Sequence, residues 1–150
     1  MEKPIRRRRA GQPAQDSEPS SNGATLAGLF LGGLVLRLVH VWTVRESPLF
    51  TMPMLDPAMY DEWARALLAG RPPGGVFFQD PLYAYVLAGL YRTLGDGPLV
   101  VAIVQSILGA AVAPLVFVAA RPSFGVATAG TAGSLAALYA PAIYYDGMLL

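Results

Sequence analysis

The residues best suited to chemistry lie in one short stretch, Leu55-Asp56-Pro57-Ala58-Met59-Tyr60-Asp61-Glu62-Trp63-Ala64-Arg65, which brings acids, aromatics and an arginine together. A carboxylate at Asp56 can accept a hydrogen bond from the helix that follows, or a proton from an attacking hydroxyl. Pro57 suits the first position of a helix, so Asp56 is expected as its N-cap. The helix should run from about residue 57 to 69 and stop at Gly70. Tyr60, Trp63, Ala64 and Leu67 then form an apolar stripe, while Asp61, Glu62 and Arg65 face elsewhere, as in a helix that lies along a membrane interface. Asp61 and Arg65, four apart, are expected to pair. Arg37 is the second chemical candidate, because an arginine inside an apolar run either snorkels or holds an anionic group.

Composition narrows the remaining chemistry. The 150 residues include no cysteine, which excludes a disulfide framework, a thiolate metal site and a cysteine nucleophile. His40 is the one histidine and cannot alone build a metal site or a triad. Only 14% of the chain is charged and 54% is apolar, with a net charge of +1, a balance that points to an all-α integral membrane protein.

The elements that would position these residues follow from the apolar runs. Residues 1–23 carry Arg6-Arg7-Arg8-Arg9 in a polar setting and read as a disordered basic tail on the cytoplasmic side, with no call for nucleic acid as a partner. Spans are expected over 24–44, 99–120 and 124–145, the second kinked at Pro114. The outer-face loop 47–80 holds the interfacial helix. The apolar segment 82–94 is short for a crossing and reads as a partial membrane helix. If it crosses, Arg121 lies outside and Asp146 inside; if not, Asp146 returns to the face of Asp56. Charge placement favours the second arrangement, with three spans and the N-terminus in the cytoplasm.

The order of a first span, Leu55-Asp56-Pro57-Ala58-Met59-Tyr60, then Val76-Phe77-Phe78-Gln79-Asp80-Pro81-Leu82-Tyr83, a span bearing Gln105, and Tyr139-Ala140-Pro141-Ala142-Ile143-Tyr144-Tyr145-Asp146 resembles the N-terminal part of glycosyltransferase family 39. Within it, the likeness is to bacterial members that carry tetratricopeptide repeats after the membrane region. The resemblance implies the N-terminal portion of a GT-C multi-span bundle in a bacterial inner membrane. It implies transfer of a sugar from a polyprenyl-phosphate donor to a protein, lipid or glycan hydroxyl, with inversion. Asp56 is then the general base, and Arg37, Tyr60, Asp61, Pro81, Tyr83 and Asp146 are substrate-binding. Pro57 stands where many relatives have a second acid. No metal ligands are assigned, and a divalent cation, Mg or Mn, stays open.

Complete GT-C enzymes have more spans, so the chain reads as an N-terminal fragment inactive alone. Two other readings are a small multi-span scaffold that binds and never catalyses, and half of a transporter, for which only Arg37 and His40 speak.

Overall fold

A computed structural model describes residues 19–51, 54–71 and 80–149. The Arg6–Arg9 tail and the Val76-Phe77-Phe78-Gln79 segment lie outside the described residues. The described chain is helical, without a strand among the described residues: α1 (Pro19–Val44), α2 (Pro48–Thr51), α3 (Asp56–Leu68), α4 (Leu82–Leu94), α5 (Pro98–Ala137) and α6 (Ala140–Asp146).

Two helical stretches, Asn22–Val44 and Pro98–Ala137, are long and apolar enough to cross a membrane. Their large apolar side chains are spread around the helix instead of gathered on one buried stripe. Val39 is 60% exposed and Leu115 65% exposed, although both belong to helices packed on each other. Burial inside the protein therefore does not explain the apolar composition of these helices.

Against α1, α5 first runs antiparallel: Val41 packs with Ala102, and Gly33 lies beside Ala110. Then the chain turns back. Ala113 and Gly133 would be about 30 Å apart along a straight helix, yet a Cβ on Gly133 would meet the Ala113 carbonyl oxygen at 3.0 Å. The reversal falls at Gly125, whose φ of 78° and ψ of 171° are non-helical. A side chain there would be strained. Pro114, where the kink is expected, keeps helical backbone angles.

The returning arm of α5 runs parallel to α1, placing Gly133 by Leu29 and Ala137 by Gly33. The span expected over 124–145 is not one helix. It breaks after Ala137, Tyr139 is extended, and α6 begins at Ala140 with Pro141 in its first turn. Pro141 has no N–H to donate to the carbonyl of Ala137 and disfavours helical backbone just before it, so the break has a covalent cause. Likewise, α1 begins at Pro19, before the span start expected at 24.

The α3–α4 pair packs at the end of the bundle where α1 finishes. Ala64, Leu87, Ala88, Tyr91 and Val101 form its core, with Tyr60, Leu67, Tyr83 and Leu149 against them. Leu149 follows α6, so the last helix returns to the end occupied by α3. Phe50 of α2 is buried with Val41 and Ala102 and ties the connection after α1 to the same end.

Candidate functional site

Asp56 is the first residue of α3, not its N-cap. Leu55 takes the cap position and no side chain completes the cap. The non-helical backbone falls at Leu55, with φ 59° and ψ −128°, and Pro57 takes the second position of the helix. A leucine held at positive φ costs about 1–3 kcal/mol. Asp56 is left exposed, with no hydrogen bond or ion pair among the described residues.

Over the turns that follow, side chains from α3 and α4 interlock. Tyr60 meets Tyr83 edge to face with ring centroids 5.1 Å apart, and Trp63 in the same way at 6.0 Å. Asp61 accepts from the Tyr91 hydroxyl at 2.7 Å and from Arg65 Nε at 2.9 Å. Arg65 also donates through Nη1 to Asp96 at 2.7 Å. Burial, with the hydrogen bond to Asp61, raises the Tyr91 phenol above its ordinary range. The hydrogen bond from Arg65 holds Asp96 below the usual carboxylate range. The Asp61–Arg65 pair follows from helical spacing; Tyr91 and Asp96 were not legible as partners. Pro81 caps the start of α4, its carbonyl accepting from the amide of Tyr85 at 3.2 Å.

The other cluster lies inside the three-rod bundle. Arg37 is 2% exposed, so it does not snorkel. Its Nε donates to Asp146 Oδ2 at 2.6 Å. Nη1 donates to the carbonyls of Gly33 at 3.1 Å and Ala137 at 3.3 Å. The Ala137 carbonyl is the one that Pro141 cannot serve, so the proline that breaks the third rod also frees an acceptor for the guanidinium. Gly109 makes room for the pair: a Cβ there would meet Asp146 Cγ at 2.7 Å and Arg37 Nε at 2.8 Å. No periodic pattern announced either Asp146 as the partner of Arg37 or Gly109 as the gap between helices.

A cavity of about 390 Å³ adjoins this ion pair, lined by Arg37, Asp146, Tyr139 and the apolar Val112, Leu135 and Ala142. Outside its lining, three buried polar atoms lack a partner among the described residues: His40 Nε2, Gln105 Oε1 and Ser106 Oγ. His40 lies one turn beyond Arg37 on α1 and against Gly147, and Gln105 and Ser106 lie one turn before Gly109 on α5.

No family model, curated protein or solved structure matches the chain. Geometry therefore carries the functional argument. The sequence-derived residues fall into three places: Arg37 with Asp146 in the bundle; Tyr60, Asp61 and Tyr83 in the α3–α4 contact, with Pro81 at its edge; and Asp56 alone at the head of α3. Among the described residues no three acidic or imidazole groups come together as a ligand set.

Proposed function

We propose that this chain is the N-terminal portion of a multi-pass membrane glycosyltransferase that moves a sugar from a polyprenyl-phosphate donor to an acceptor hydroxyl on the outer face. The observation that carries the reading is the return of Asp146 and Leu149 to the end of the bundle capped by α3 and α4, while Arg37 sits buried within it. An arginine inside hydrocarbon is costly and is retained where it is paired, as Arg37 is with Asp146, and such a residue is by default a candidate for a ligand or ion path. At the end of α1, Arg45 lies 3.3 Å over the ring of Trp42, which is 66% exposed, an aromatic and basic pair suited to the membrane–water boundary.

In this reading the acceptor hydroxyl approaches Asp56, whose carboxylate is exposed and unengaged among the described residues. The hydroxyl oxygen forms the new bond to the anomeric carbon as its proton passes to Asp56, and the bond to the phosphate oxygen breaks with its electrons. The leaving lipid phosphate is already a stable anion and needs a positive group nearby more than a proton. Attack opposite the leaving group inverts the anomeric centre.

The test is sugar transfer in membranes holding the full-length parent protein, with a panel of polyprenyl-phosphate sugars. Asp56→Asn should lower transfer about a hundredfold or more at unchanged expression. Undiminished transfer would remove Asp56 from the mechanism.

A further inference from the structure

We infer that Asp146 is an exchangeable internal counter-ion, occupying on Arg37 the place of an oxyanion-headed amphiphile that enters through the adjoining cavity. The inference rests on the membrane reading above and adds to it a ligand class and a competing group. Arg37 is nearly fully buried and engages a single carboxylate oxygen at 2.6 Å through Nε, leaving the Nη2 protons without a protein partner among the described residues. A planar guanidinium has room for a second, parallel bond to an anion with several oxygens, and such bidentate pairing outcompetes a single contact. The cavity is of the size that takes a ligand or one end of a larger one, about 300–1,000 Å³. Its lining is mostly apolar, with Arg37 and Asp146 as the charged groups and Tyr139 beside them, which matches a molecule with a hydrocarbon tail and one charged head.

Asp146 is the more accessible partner: it ends a seven-residue helix that is followed by Gly147, and it is 22% exposed where Arg37 is 2% exposed.

The experiment titrates the purified full chain in detergent micelles and follows bound ligand by native mass spectrometry. The probes are a polyprenyl phosphate, the corresponding polyprenol, a long-chain fatty carboxylate and inorganic phosphate. The wild type should bind at least one tailed oxyanion tenfold or more above polyprenol, and inorganic phosphate far more weakly. Asp146→Asn removes the competitor and should tighten that ligand threefold or more. The double variant Arg37→Gln/Asp146→Asn, which leaves neither charge unpaired, should lose the preference over polyprenol; it decides the matter if the single variant does not fold. Unchanged or weaker binding by Asp146→Asn, a preference that survives in the double variant, or inorganic phosphate bound as tightly as the tailed probe would each overturn the inference. Binding of the fatty carboxylate without the polyprenyl phosphate would leave the counter-ion role standing and sink the sugar-donor reading. Polyprenyl phosphate binding that Asp146→Asn does not tighten would do the reverse.

Discussion

The Tyr91 hydroxyl donates to Asp61 Oδ1 at 2.7 Å, joining α4 to α3 by a hydrogen bond whose acceptor also holds Arg65. Because the phenol is raised above its ordinary value near 10, the folded chain keeps this proton at pH values where the unfolded chain has begun to lose it. The stabilisation is complete below about pH 10 and is lost as pH rises through the folded value. Tyr91→Phe should cost about 1–2 kcal/mol at pH 7 and flatten the decline of thermal stability between pH 9.5 and about 11, read by calorimetry in detergent.

Removing the two members of the buried pair should have unequal consequences. Asp146→Asn leaves a guanidinium uncompensated where it is almost fully buried, and should cost about 3 kcal/mol. Arg37→Gln leaves a carboxylate that retains contact with its surroundings and can bind a proton, so its cost should be smaller, about 1–2 kcal/mol. Denaturation of the two single variants and the double variant gives the coupling directly. Equal costs would mean that the two ends of the pair are equally accessible to solvent.

Glycines in the bundle divide into those that admit a methyl group and those that do not. Gly109→Ala drives a Cβ into the Arg37–Asp146 pair, and Gly133→Ala drives one against the Ala113 carbonyl oxygen and Leu29. Both should lower stability by about 1–3 kcal/mol through overpacking. Gly32→Ala meets nothing within 4 Å and should stabilise α1 by up to about 1 kcal/mol. Thermal unfolding of the three variants separates the classes.

The chain has no cysteine of its own, so single introduced thiols report sidedness cleanly. With the reversal at Gly125 and the α3–α4 pair at opposite ends of the bundle, Arg121→Cys and Glu62→Cys should react with an impermeant maleimide from opposite sides of a sealed vesicle. Reaction of both from one side would contradict a three-pass arrangement.

Local chemistry was legible where it stayed local. Gly70 and Gly95 mark the ends of α3 and α4, and the i,i+4 spacing of Asp61 and Arg65 gave their pairing. The N-cap expectation at Asp56 failed because cap preference ignores the backbone that Leu55 and Pro57 impose together. The reversal at Gly125 went unread because the glycine looks like any other in a small-residue stretch, yet it permits a backbone state that other residues resist. The Arg37–Asp146 pair was out of reach for a different reason. It joins residues 109 positions apart, and neither helical period nor composition encodes which distant carboxylate a buried arginine meets.

That separation has a consequence during biosynthesis. At about 5–20 residues per second, the ribosome reaches Asp146 roughly 5–20 s after Arg37 has been made. The nascent first helix must be held through that interval by water, lipid head groups or the insertion machinery. The final arrangement of the first rod is thus set by the arrival of the last, and a pause or truncation between them would strand a positive charge in an otherwise apolar segment.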